Sequence, residues 1–159
     1  MAGAAFGGAS ALISRPAPVQ GTVHSPEALA AAVLDAFQRG DRSALERLAI
    51  SEQEFADHVW PALPAARPER NLTASFVWAD LSGKSRQYLA TNLKRPLPPG
   101  ARAVAITFEG DTSRYGTITI RRQSVITLTD AGGHSTKARL FGSMLEQNGR
   151  YKVFSYVTD

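Results

Sequence analysis

Cysteine is absent from this chain of 159 residues. Its absence excludes disulfides, a thiolate nucleophile and any metal site that requires a cysteine ligand. Long apolar runs are missing too, so the sequence predicts no membrane-spanning helix. Histidine is scarce, and His24, His58 and His134 lie too far apart to form a ligand-spaced pair. We therefore expect no bound metal.

Motifs for nucleotide chemistry are also lacking. The chain contains no P-loop, no glycine-rich dinucleotide motif and no nucleophile elbow, so neither nucleotide binding nor elbow-type serine hydrolysis is indicated. The formal charge is +4, but the longest basic runs are the pairs Lys94-Arg95 and Arg121-Arg122. Nucleic-acid binders concentrate basic residues on one surface. We expect no cofactor and no nucleic-acid partner.

The strongest positive signal is the dipeptide Asn148-Gly149 between two β-rich runs. Asparagine followed by glycine favours a type I′ turn, in which both central residues have positive φ. Such a turn pairs Gln147 with Arg150 across the hairpin. An unbroken register would then pair Ser143 with Phe154. The sequence thus predicts a long C-terminal hairpin.

One face of this hairpin combines large aromatic side chains with positive charge. A surface of this kind suits a partly apolar interface better than a sealed core. We therefore predict a homodimer that forms through the sheet. The candidate interface residues are Phe141, Phe154 and Tyr156.

Capping signals divide the first half of the chain into helices. The pair Ser25-Pro26 is typical of a helix start, and Gly40 is typical of its end. Asp41 predicts the cap of a second helix, and residues 51–54 form a capping box for a third. Three prolines within residues 61–68 predict a loop.

A fourth helix, from Leu72 to about Asn92, leads into a region of strands. Apolar alternation predicts strands at residues 103–109, 117–128 and 134–147, and the Asn-Gly turn delivers the last one. Arg122 interrupts an apolar strand face. Either it is buried with a partner, or a β-bulge turns it to water. The order of elements predicts an α+β domain, with N-terminal helices packed on a curved antiparallel sheet of three to four strands.

Residues 1–24 differ from the remainder in composition. They are rich in alanine, glycine and proline, which predicts a disordered or loosely ordered tail before a single domain at residues 25–159. The alternative for the tail is a degenerate or truncated export signal. We expect a soluble protein that is cytoplasmic or exported.

Two stretches carry a resemblance to a known family. They are the opening helices with Asp35-Ala-Phe-Gln-Arg-Gly-Asp41 and the terminal strand with Gly149-Arg-Tyr-Lys-Val-Phe. Over about residues 25–159 the chain resembles the NTF2-like (cystatin-like, SnoaL-type) superfamily. The resemblance implies a cone-shaped domain with a pocket at its wide end and frequent dimerisation through the sheet. Members include both enzymes and non-catalytic modules.

Within such a cone, we predict a ligand site between the fourth helix and the long strand. Its candidate residues are Trp78, Tyr88 and Arg122, with Trp60 at the mouth. A small anionic ligand, or an apolar ligand that carries a carbonyl, would supply the acceptor that the desolvated guanidinium requires. Asp80 is the internal competitor, because a pair between Asp80 and Arg122 would close the pocket.

The function expected from these features is that of a ligand- or partner-binding domain without catalysis. The alternative is a small cofactor-independent isomerase, dehydratase or hydrolase that acts on an apolar carbonyl-bearing substrate. The resemblance implies a carboxylate or histidine beside a tyrosine in such enzymes. Asp57 and His58 on the third helix are candidates, but adjacent helix positions point about 100° apart, so at most one would face the interior.

Overall fold

A computed structural model of the chain describes Gly21 and residues 23–158. These residues form an α+β fold with helices in the first half and antiparallel strands in the second. The predictions for the tail at residues 1–24 fall almost entirely outside the described residues. No helix in the described part is long and apolar enough to span a membrane.

The helical layer consists of four α-helices within the described residues: α1 (Pro26–Arg39), α2 (Arg42–Leu48), α3 (Glu52–Glu54) and α4 (Ala74–Asn92). α3 continues directly into a π-helical turn at Phe55–Val59. The proline-rich segment that follows folds into three short 3₁₀ turns, at Trp60–Ala62, Pro64–Ala66 and Pro68–Arg70. Prolines suit these turns because each occupies one of the first positions, where no backbone donor is needed.

The predicted caps of the first three helices are confirmed. The Ser25 side chain accepts a hydrogen bond from Ala28 N at the start of α1, and Gly40, with φ of 62°, ends that helix. Asp41 caps α2, and residues 51–54 form the complete capping box of α3. Local chemistry therefore determines where these helices begin and end.

In the part of the chain that the structure describes, seven antiparallel strands follow: β1 (Arg102–Phe108), β2 (Thr112–Tyr115), β3 (Ile118–Arg121), β4 (Ser124–Thr129), β5 (Ser135–Ala138), β6 (Ser143–Gln147) and β7 (Arg150–Ser155). They form a three-stranded sheet in the order β1-β4-β5 and a four-stranded sheet in the order β2-β3-β6-β7. Backbone hydrogen bonds from Glu109 to Gln123 and from Ser124 to Gly142 connect the two. The sheets are thus the two halves of one bent layer.

The bend interrupts the long strand predicted at residues 117–128. Gln123 has φ of 57°, a left-handed conformation that separates β3 from β4. On the neighbouring strand, the backbone of Val157 approaches Gly142 so closely that a Cβ at Gly142 would overlap the Val157 carbonyl oxygen. Arg122 lies at this break, and neither prediction for it is met in full: the strand breaks instead of bulging, and the side chain is half-buried with Ser113 as a partner.

The predicted hairpin turn is confirmed, with φ of 52° at Asn148 and 75° at Gly149. The pairs from Gln147–Arg150 to Met144–Val153 keep the predicted register. Beyond them the register shifts by one residue, and Ser143 pairs with Ser155. The predicted pair of Ser143 with Phe154 is therefore wrong, because β7 accommodates an extra residue at this point.

Two apolar clusters fill the space between the helices and the bent sheet. The first joins α1 and α2 to both sheet halves, and the second joins the π-helical turn to β3 and β6. Among the fully buried members are Leu29, Val33, Leu45, Leu140, Phe141, Met144, Val153 and Tyr156 in the first, and Phe55, Val59, Ile118, Ile120 and Leu145 in the second. Apolar side chains thus fill the interior between the helices and the bent sheet.

The candidate interface residues occupy this interior. Phe141 is 0% exposed and Tyr156 is 1% exposed, and Phe154 is half-buried against the second cluster. The Tyr156 hydroxyl donates a hydrogen bond to the carbonyl of Leu45, and burial raises the pKa of Tyr156. The register shift and the bend direct Phe141 and Tyr156 towards the helices. These two side chains therefore present no surface to a second copy, which corrects their predicted role.

Candidate ligand-binding groove

A groove of about 960 Å³ lies between the helical layer and the outer edge of β7. α1 and α2 form one wall, and the segment from α3 into the π-helical turn forms another. The apolar part of the lining consists of small and medium aliphatic side chains: Val23, Ala32, Ala44, Leu48 and Ala49. Its size falls within the range of small-molecule sites.

Two chain segments pair with the outer edge of β7 and thereby shape the groove. Tyr151 N donates to the Val23 carbonyl at 3.1 Å, and Ile50 N donates to the Val153 carbonyl at 3.1 Å. The side chain of Arg150 donates to the Gly21 carbonyl. These bonds satisfy backbone groups that an edge strand would otherwise expose, and they fix the groove beside β7.

An ion pair between Lys152 and Glu54 lies in the groove. Lys152 Nζ is 2.8 Å from Glu54 Oε1, and the two side chains are 12% and 9% exposed. Glu54 Oε1 also accepts a hydrogen bond from Ser51 N at 2.9 Å as part of the capping box. Since desolvation offsets much of the attraction in a buried pair, the pair is weak evidence for stability. In an open groove, it marks a candidate binding site.

Asp57 and His58 also line the groove and are half-buried. Both side chains lie beside an open space and not in the filled interior, so neither occupies the position predicted for a cone residue. Asp57 accepts a hydrogen bond from Gln53 at 2.6 Å. His58 follows Glu54 by four residues, within a segment of π-helical geometry, which often occurs at functional sites.

The two tryptophans of the predicted ligand site are part of the second apolar cluster. Phe55 lies between them, with its ring centroid 6.2 Å from that of Trp60 and 5.4 Å from that of Trp78. Both indoles are half-buried there. Neither lines the groove, and their observed role is packing between the π-helical turn and α4.

The other three predicted site residues lie apart from one another. The Tyr88 hydroxyl accepts a hydrogen bond from Thr158 at 3.2 Å, on the first apolar cluster. Asp80 forms an exposed pair with Lys84 on α4. Arg122 donates to Ser113 at 2.8 Å and lines a separate cleft of about 390 Å³ at the bend. The structure thus does not bring Arg122 and Asp80 together.

Sequence reasoning missed the groove because its polar centre joins distant residues. Glu54 was recognised as a capping residue and Lys152 as a hairpin residue, but they are 98 positions apart. The available signal was a lysine between the positions of Tyr151 and Val153, opposite the apolar Leu145. Such a lysine requires a partner once it is buried.

The groove contains no arrangement typical of a metal centre. Within the described part of the chain, no group of three or more histidine, aspartate or glutamate side chains could hold a metal ion. In comparisons with known proteins, no family model, no curated protein and no solved structure matches this chain.

Proposed function

We propose that this chain is a ligand-binding domain of the NTF2-like type, without catalysis, and that its ligand occupies the groove beside β7. The observation that carries the proposal is an open groove of about 960 Å³ that contains the buried pair of Lys152 and Glu54. Sites for small molecules combine an apolar lining with a few polar groups that orient the ligand. This groove has both.

The NTF2-like part of the proposal draws support from the architecture. Helices precede a strongly bent antiparallel layer that closes over them. One departure is the absence, in the described residues, of a strand between α3 and α4. Because apolar side chains fill the space between the helices and the sheet, the proposed site lies at the edge of the layer and not inside a cone.

Filling the groove provides the test. Ala32 on α1 lines the groove, and its neighbour Ala31 is exposed and does not line it. A fragment library is screened by protein-observed NMR against the wild-type chain. Some fragments should shift the NMR signals of backbone amides in the groove. For these fragments, Ala32→Trp should weaken binding by about tenfold or more, whereas Ala31→Trp should leave binding unchanged.

The proposal fails if fragments bind Ala32→Trp as well as they bind the wild-type chain. It also fails if the shifted amides cluster around Arg122 at the bend, because the cleft there would then be the ligand site. Thermal melting of both alanine variants checks that the substitutions leave the fold intact.

A second candidate is a small cofactor-independent enzyme of isomerase, dehydratase or hydrolase type. The observation in its favour is that Glu54, His58 and Lys152 all line the same open groove. A histidine near a carboxylate can move a proton to or from a bound carbonyl compound. Turnover of an ester or enolisable ketone that His58→Gln abolishes, with ligand binding preserved, would establish this candidate over the first.

A further inference from the structure

The hydrogen bonding of Lys152 constrains the chemistry of the ligand. An ammonium group has three donors and no acceptor. Among the described residues, Glu54 is the acceptor that the structure gives to Lys152 Nζ. With its side chain 12% exposed and lining the groove, Lys152 has two remaining donors and little access to bulk water. A ligand oxygen in the groove would satisfy them.

The charge of Lys152 is already balanced. Glu54 Oε1 lies 2.8 Å from Nζ, so an anionic ligand at the remaining donors would be placed close to a second carboxylate. Like charges at such separations repel, and weak screening in a partly buried site preserves the repulsion. Asp57, on the same wall, adds to it. A cationic ligand would instead face the ammonium.

The charges at the rim do not alter this balance. Arg39 is paired with Asp35 at 2.9 Å and with Asp41 at 2.6 Å, and these side chains are 30% or more exposed. Arg47 and Glu46 are exposed and of opposite sign. Solvent and salt screen exposed charges, so they contribute little to the selection of a ligand.

Resting on the proposed function, we infer that the ligand is an uncharged amphiphile. Its carbonyl, amide or hydroxyl oxygen accepts hydrogen bonds from Lys152. Its short aliphatic part packs against the alanine-rich wall at Ala32, Ala44 and Ala49. Repulsion from Glu54 disfavours a carboxylate of the same length, and repulsion from Lys152 disfavours an amine.

Three probes of equal length and different charge test the inference on the full chain at neutral pH. They are hexanamide, hexanoate and hexylammonium, titrated in the millimolar range that such small ligands require. Hexanamide should shift the NMR signals of backbone amides in the groove. It should bind at least about fivefold more tightly than either ion, because one net hydrogen bond contributes a free energy of that size. Equal or tighter binding of hexanoate or hexylammonium in the groove overturns the ligand class but leaves the proposed function in place.

If none of the three probes shifts a groove amide, the inference fails, and the fragment screen decides the proposed function separately. Ala32→Trp should abolish the shifts, and Ala31→Trp should preserve them. Retained shifts in Ala32→Trp would mean that the probes bind elsewhere, which also overturns the inference.

A double variant tests the role of Lys152 directly. Lys152→Met combined with Glu54→Leu removes both charges of the pair together, so the substitution does not leave one of the two charges buried alone. It should weaken hexanamide by about fivefold and abolish its advantage over hexanoate. Undiminished preference for the amide in a double variant that melts cooperatively would show that Lys152 does not select the ligand. If the double variant fails to fold, the ¹⁵Nζ chemical shift of Lys152 in the wild-type chain decides whether Lys152 binds the ligand. The shift should change when hexanamide is added, and an unchanged shift would overturn the role of Lys152.

Discussion

The filled interior and the groove beside β7 share one strand but differ in physical character. Val153 on β7 is 0% exposed in the first apolar cluster, and Lys152, its neighbour, lines the groove. Alternation along a strand sends successive side chains to opposite faces. Two neighbouring residues of one strand therefore have different roles, because Val153 packs in the interior and Lys152 lines the candidate site. The comparison teaches that substitutions in the two regions should affect different measurable quantities.

The largest effect is expected in the interior. Phe141→Ala removes a ring that is 0% exposed and leaves a cavity, so it should lower the free energy of unfolding by about 3–5 kcal/mol. Urea denaturation monitored by circular dichroism measures this loss. Ala32→Trp in the groove wall is the matched contrast and should change the value by less than about 0.5 kcal/mol. Similar losses in the two variants would remove the distinction between the regions.

The next effect concerns the ion pair in the groove. Lys152→Met removes the ammonium that pairs with Glu54 and should lower the free energy of unfolding by about 3 kcal/mol, because breaking a buried pair is strongly destabilising. Adding Glu54→Leu to that variant should recover part of the loss, and a double-mutant cycle in urea measures the coupling. Purely additive losses would indicate that the two side chains do not interact in solution.

The turn that sets the register of β7 should show a smaller effect. Gly149 has φ of 75°, and a Cβ at this position would meet nothing within 4 Å. Gly149→Val should therefore destabilise the chain by more than about 1 kcal/mol through backbone strain alone. Gly149→Asn is the control and should cost less, because asparagine tolerates positive φ. Equal melting temperatures for valine and glycine would contradict the observed turn.

The smallest effect is expected at the groove rim, where Asp41 caps α2. A hydrogen bond from Ala44 N and, secondly, one from Arg39 lower the pKa of Asp41 below its ordinary value of 3.8. A lowered folded-state pKa contributes stability above the ordinary value, and this contribution is lost as the pH falls through the folded-state pKa. The melting temperatures of wild type and Asp41→Asn should thus differ at neutral pH and converge below about pH 4. A constant difference down to pH 2 would argue against this origin.

Local rules predicted much of the fold because they act over a few residues. Ser25, Gly40 and Asp41 were identified as helix boundaries, and Asn148-Gly149 was identified as a hairpin turn, each from backbone chemistry within about four positions. The α+β class followed from the order of these elements. Three of the four predicted helices kept their proposed starts.

Local rules could not predict the irregularities of the sheet. Gln123 adopts a left-handed conformation without being glycine, and β7 shifts its register near Phe154, where Gly142 lies on the paired segment. Tertiary packing imposes both. An assumed continuous register assigned Phe141 and Tyr156 to an outer face, and their predicted place at an interface is wrong for this reason.

The candidate site was the least predictable feature. The groove depends on segments from three separate parts of the chain, which meet only because Val23 and Ile50 pair with the outer edge of β7. The five predicted site residues were selected from their positions on single predicted elements. In the structure each has its own separate partner: Phe55 for Trp60 and Trp78, Thr158 for Tyr88, Lys84 for Asp80 and Ser113 for Arg122.

The close approach at Gly142 bears on how this sequence can vary. Its N–H donates to Ser155 and its carbonyl accepts from Ser124, so the residue links two strands, while the continuation of β7 at Val157 passes over its α-carbon. Neighbouring Phe141 and Ser143 can exchange for side chains of similar volume, but at position 142 only glycine preserves the contact. In a saturation library selected for folding, position 142 should therefore tolerate fewer substitutions than the other positions of the bend.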